Sequence, residues 1–196
     1  MRIKQQLLGF CAAIVVLTAC RNDTSAEHTT STPEQAATTA SPGACPSGDL
    51  PVISGQLHGG ISGDLKAMPG ETICNGMARP AARGLRLRFQ ATTIDSDDTL
   101  TLIFGIDTLA RGDTGSGIRT TVTVIDEENK RFYSTGEQYS CFSDVTRHVE
   151  SPSANTTQIN GVVWCTAAVP ELNGNTSIRM PEVQFRGLVQ WPEDPV

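Results

Sequence analysis

The sequence predicts an all-β protein: a single antiparallel β-sandwich or barrel-like domain, preceded by a signal peptide and a disordered tether. Three observations carry this. After residue 84, apolar residues recur at every second position in several segments, the period at which successive side chains fall on opposite faces of a strand. Clusters of Gly, Pro, Asn and Asp separate these segments, and such clusters make turns. No stretch keeps the 3.6-residue period of an amphipathic helix, and no repeat of fixed length is visible.

The chain begins with Arg2 and Lys4, followed by an unbroken apolar run of eleven residues, Leu7 to Leu17, and then small residues up to Cys20. A charged start, a short apolar run and a small-residue end make a secretory signal peptide. The run is too short to span a bilayer, which takes about 20 residues. Leu17-Thr18-Ala19-Cys20 resembles the lipobox of bacterial lipoproteins. The resemblance implies that residues 1–19 are removed and that Cys20 becomes the lipidated N-terminus. It would carry a diacylglycerol on sulfur, with acyl chains such as palmitate. Two acyl chains anchor a protein stably, where one holds it only marginally. The expected location is the cell envelope, lipid-anchored, with the domain in the periplasm or at the surface. Arg21 stands where an Asp would retain such a protein at the inner membrane, so the outer membrane is favoured if the source has one. Cys11 is expected to leave with the leader.

Residues 20–44 are expected to form the tether. From Arg21 to Ala44 there is no Val, Ile, Leu, Met or aromatic residue, and nine of the 24 positions are Ser or Thr. Such a segment buries too little apolar surface to offset its ordering entropy. The chain holds 15 basic and 21 acidic residues, a net charge of −6, and loss of Arg2 and Lys4 makes it −8. That balance argues against nucleic acid as a partner, since its phosphates need clustered Lys and Arg.

Residues 45–196 are long enough for one domain with its own core. Val52 to Leu65 is Gly-rich, with a short strand expected at its start. Met68 to Ala82, with Pro69, Gly70, Gly76 and Pro80, is expected to be irregular and pinned by Cys74. Leu85, Leu87 and Phe89 then alternate with Arg86, Arg88 and Gln90. After a turn at Asp95 to Asp98, the next strand turns Leu100, Leu102, Phe104 and Ile106 to one face, and the two strands suit a hairpin. Arg111 to Gly117 is a loop. Ile118, Thr120, Val122 and Val124 mark a third strand, Glu127 to Lys130 turns it, and Arg131 to Ser134 starts the return. Tyr139, Cys141 and Val145 share a face in a fifth strand that Ser143 interrupts. Ile159, Val163 and Cys165 share one in a sixth. Val162 and Trp164 point the other way, so this strand is expected to be buried on both sides. Val183, Phe185, Gly187, Val189 and Trp191 line the last strand, which Pro192 stops. Six to eight strands are expected.

Four cysteines remain in the domain, and an even count in an exported chain implies two disulfides. Pairing by local loops joins Cys45 to Cys74 and Cys141 to Cys165. No C-x-x-C pair exists, so no metal site and no cofactor is expected. Asp113-Thr114-Gly115-Ser116 resembles the aspartic protease motif, but Arg111-Gly112 precede it where that family ends a hydrophobic strand, and a turn accounts for it better. Arg111-Gly112-Asp113 matches the integrin-binding tripeptide, which arises often by chance. Asp95, Asp97 and Asp98 lack the spacing of a calcium loop. They are expected to be solvated, as are Asp126, Glu127 and Glu128. His58 and His148 are the only bases for serine-hydrolase chemistry, and no G-x-S-x-G accompanies them. His58 is expected to be a loop residue with a satisfied hydrogen bond, and no catalytic residue is assigned. Thr135-Gly136-Glu137-Gln138-Tyr139 weakly resembles the S-G-x-x-Y loop of membrane-bound lysozyme inhibitors, with Thr135 in place of the serine.

These observations favour a non-enzymatic, lipid-anchored envelope protein whose β-domain binds a protein partner or an envelope polymer such as a polysaccharide. The alternatives are a hydrolase acting on a glycan or peptide, or an inhibitor of a lysozyme or other hydrolase. Carboxylates gathered with His58 or His148 in a deep cleft would favour the enzyme. A flat face with exposed aromatics would favour binding.

Overall fold

The computed structural model describes residues 45–79, 84–94 and 98–192. The leader, Cys20, the tether, Asp95 and Asp97 lie outside the described residues. Twelve strands follow one another, with no helix among the described residues: β1 (Ile53–Gly59), β2 (Gly63–Ala67), β3 (Cys74–Ala78), β4 (Gly84–Thr93), β5 (Thr99–Asp107), β6 (Gly115–Asp126), β7 (Arg131–Ser134), β8 (Cys141–Glu150), β9 (Thr156–Cys165), β10 (Val169–Pro170), β11 (Ser177–Arg179) and β12 (Val183–Gln190).

Eight of these strands close into a ring. The ladder runs β1–β2–β4–β5–β6–β8–β9–β12 and returns to β1, antiparallel at every step. Closure leaves these strands without the free edges that invite aggregation. Because β2 reaches only Thr92 and Thr93 of β4, β3 fills the rest of the seam. It pairs with β4 from Leu85 to Phe89 and meets β12 at Gln190↔Met77. Similarly, β6 pairs with β8 through its first half and with β7 through its second. β10 and β11 extend the sheet from the end of β1. Register shifts on β6 between Gly115 and Ile118, and on β8 between Val145 and Arg147, supply local bends.

The alternating residues of β4, β5, β6 and β12 point into the ring, and there they are buried. Phe89, Phe104 and Phe185 meet at its centre, with ring centroids 5.9 to 6.4 Å apart. Each such ring contributes roughly 1.5–3 kcal/mol by leaving water. Arg86 and Gln184 face outward and are exposed. This barrel is therefore apolar inside and polar outside, the reverse of a membrane-spanning barrel. No helix among the described residues is long and apolar enough to cross a membrane.

The structure departs from the sequence expectations at several places. The Gly-rich 52–67 segment is a full hairpin, β1–β2, and the expected irregular stretch contains β3. In both, long-range pairing supplies what weak local preference lacks. Tyr139 lies before β8, and Ser143 continues the inward face: its hydroxyl bonds Thr120 Oγ1 at 2.6 Å. On β9 only one face is buried, and Val162 and Trp164 are half-exposed. Asp126 is fully buried, not solvated. The strand count exceeds the expected six to eight because short strands patch the seams.

Two disulfides hold the segments together. Cys45 is bonded to Cys74 with the Cα atoms 4.9 Å apart, which fastens the start of the domain to β3. Cys141 is bonded to Cys165, its direct partner across β8 and β9, at 4.0 Å.

Candidate functional site

His148 sits on β8 and is only 5% exposed. One ring nitrogen lies 3.0 Å from the carbonyl of Asp113 and the other 2.8 Å from Thr157 Oγ1. The Trp191 indole stacks on it at 5.8 Å and donates to the same hydroxyl at 2.8 Å. Burial lowers the imidazole pKa, opposed by its bond to Asp113. Both nitrogens are thus spent on structure, and no carboxylate orients the ring as a general base requires.

The other sequence candidates are dispersed. Asp113 is exposed in a turn, where its carboxylate accepts from the Ala110 N–H at 3.1 Å. Arg111 is held by Glu150 through two bonds of 2.9 and 2.7 Å. Thr135 is buried and its hydroxyl accepts from the Val122 N–H at 3.1 Å, so it faces the sheet instead of a partner. Glu127 is exposed and accepts from Thr101 at 3.0 Å. Among the described residues, no group of three or more His, Cys, Asp or Glu side chains is placed to hold a metal ion.

Asp126 ends β6 under a cover the sequence does not reveal. Its carboxylate accepts from the backbone and side chain of Asn129 at 3.0–3.1 Å, and from Arg131 Nε and Nη2 at 3.1 and 2.7 Å. Arg131 Nη1 also donates to the Gly60 carbonyl at 2.6 Å. Burial pushes the carboxyl pKa up, but the Asn129 and Arg131 bonds outweigh it and the net shift is downward. The bond to Asp126 raises the pKa of Arg131 against its own desolvation. The network ties the β6–β7 turn to the β1–β2 turn, a structural role.

Two surface features remain. The first is a row of side chains on the outer face of β6, β8 and β9. Arg119 pairs with Phe142, and Phe142 pairs with Trp164, so the three stand side by side across neighbouring strands. At about 4.8 Å per strand the row is about 10 Å long. The Phe142 and Trp164 rings lie 6.0 Å apart. Tyr139 is 59% exposed and lies under the Arg119 guanidinium at 4.6 Å. The Cys141–Cys165 bond and two bonds from Thr166 to the Ser140 carbonyl, 2.7 and 3.1 Å, brace the strands beneath. The alternating pattern alone cannot reveal this row, because which residues stand opposite depends on register.

The second is a groove of about 550 Å³ on the outer side of β1 and β11. His58, which belongs to β1 and not to a loop, lines it with Arg179, residues 165–168, Met180 and Pro181.

No protein-family model matches this chain, and neither a curated protein nor a solved structure does.

Proposed function

We propose that this is a lipid-anchored protein of the bacterial cell envelope, held through Cys20, whose β-domain binds an envelope partner or polymer without catalysing a reaction. The observation that carries the binding role is the braced outer row of Arg119, Phe142 and Trp164, joined by Tyr139. Tyr, Trp and Arg dominate binding hot spots because they bring large rigid area with a polar handle. On a rigid sheet they are presented at little entropic cost. The hydrolase alternative draws no such support, since His148 is locked between Asp113 and Thr157. Two disulfides agree with an oxidising compartment.

The anchor and the binding face are tested separately. Cys20→Ser should move the protein from the membrane fraction to the soluble exported fraction. That soluble chain should then co-sediment saturably with isolated cell envelopes. Trp164→Ala, made in the same chain, should weaken sedimentation at least about tenfold, as loss of a hot-spot aromatic does. Equal sedimentation of the two, or none by either, would overturn the binding role.

A further inference from the structure

The groove beside β1 and β11 adjoins the aromatic row only through Cys165 and Thr166, and its ionisable side chains lie on other strands. His58 and Arg179 are direct partners across antiparallel strands, and both are exposed. Two bases facing each other on one side of a sheet disfavour pairing whenever both are charged. The ion pairs among the described residues join Arg79 to Asp107, Arg111 to Glu150 and Arg131 to Asp126, and leave Arg179 out. Among the described residues, no carboxylate lines the groove. Acids on adjoining elements are engaged elsewhere: Asp64 accepts from Gln56 at 2.8 Å and Glu171 from Thr176 at 2.6 Å. Glu182 follows Pro181 but is not part of the lining. In a chain of net charge −6, a groove whose ionisable side chains are all bases is complementary to an anion.

Apart from Thr166, the rest of the lining is apolar. Ala167, Ala168 and Pro181 offer small apolar surface over the buried Met180, and the volume lies within the range of small-molecule sites, about 300–1,000 Å³. We propose that the groove binds a free carboxylate carried on a short body with small apolar side chains. Arg179 takes the carboxylate through its planar fork, His58 donates a further hydrogen bond, and the alanine wall packs the body. A carboxylate fits better than a phosphate. Phosphate sites gather several backbone N–H groups at a helix N-terminus or nest. This groove offers strands, one loop and a single permanently charged side chain.

Isothermal titration of the full chain in detergent with N-acetyl-Ala-Ala tests this. We expect saturable binding of the free acid. The C-terminal amide of the same peptide should bind roughly 10- to 100-fold more weakly, the worth of a charge-assisted contact. Arg179→Gln should lose as much, His58→Gln less, and Arg86→Gln on the far outer face nothing. Absence of binding by the free acid would overturn the proposal. So would equal affinity for acid and amide, an unaffected Arg179→Gln protein, or tighter binding of inorganic phosphate than of the peptide. The acid–amide comparison needs no variant, so it holds even if a substitution disturbs folding. Arg119→Gln, at the β6 end of the aromatic row, should leave this binding unchanged, which separates failure of the groove from failure of the aromatic face.

Discussion

Replacing Arg131 by Met should destabilise the domain far more than its place beside a polar turn suggests. The carboxylate of Asp126 is fully buried, and the substitution removes its two arginine donors at 3.1 and 2.7 Å. The bond from Arg131 to the Gly60 carbonyl at 2.6 Å goes as well. Removing one partner of a buried ion pair costs about 3–5 kcal/mol, because the other is left as an uncompensated charge. The Arg131 side chain is 29% exposed, and Asn129 remains as a donor, so screening reduces the expected loss to about 2–4 kcal/mol. For a domain of this size that is a fall in Tm of roughly 4–16 °C. Asp126→Asn should cost less, about 1–3 kcal/mol, because the arginine it leaves can turn to water. The pH dependence has a definite sign. The Asp126 pKa is lowered on folding from its usual 3.8, so its contribution is present above that value and is lost as pH falls through the folded pKa. In the Arg131→Met protein the carboxyl should titrate higher, and the acid-unfolding midpoint should rise. Urea and thermal unfolding at neutral pH, followed by an acid titration, measure both effects. An Arg131→Met protein within about 0.5 kcal/mol of the wild type, with an unchanged acid midpoint, would refute the reasoning.

Three further outcomes are expected. Burial lowers the His148 pKa from 6.5, so its contribution to stability is complete above that pH and declines as pH falls through the folded pKa. Urea midpoints followed from about pH 8 to 5 should drop in the wild type and flatten over that interval in His148→Gln; parallel curves would show that another group titrates. A Cβ at Gly161 would lie 2.3 Å from the Asp144 carbonyl and 2.8 Å from the Phe185 ring, so Gly161→Ala should cost about 1–3 kcal/mol by overpacking, and a neutral effect in denaturant melts would contradict this contact. Replacing Cys141 and Cys165 together by Ser removes a link across 24 residues, worth about 3 kcal/mol in the chain-entropy model, and unchanged stability in the double variant would argue against that origin.

The sequence by itself determined the elements whose burial follows a local period. In β4, β5, β6 and β12 most residues of the inward face are apolar, and one face of a strand is enough to mark them. It also suggested the two cysteine pairings, because both close short loops. The proposed anchor at Cys20 is likewise a linear signal, complete within a few residues. Only the tertiary structure decided the rest. β1, β2 and β3 are held by neighbours from elsewhere in the chain, and their glycines and polar residues carry little strand preference of their own. Asp126 reads as solvated because the turn sequence does not show that Arg131, which holds its carboxylate, is itself held by the Gly60 carbonyl, 71 positions earlier in the chain. The row from Arg119 to Trp164 joins three strands, and the groove joins β1 to β11 across more than a hundred residues. A one-residue slip in any of these ladders would turn the row inward or part the bases. Register is set by how the ring closes, and closure is a property of the whole chain that no local stretch contains.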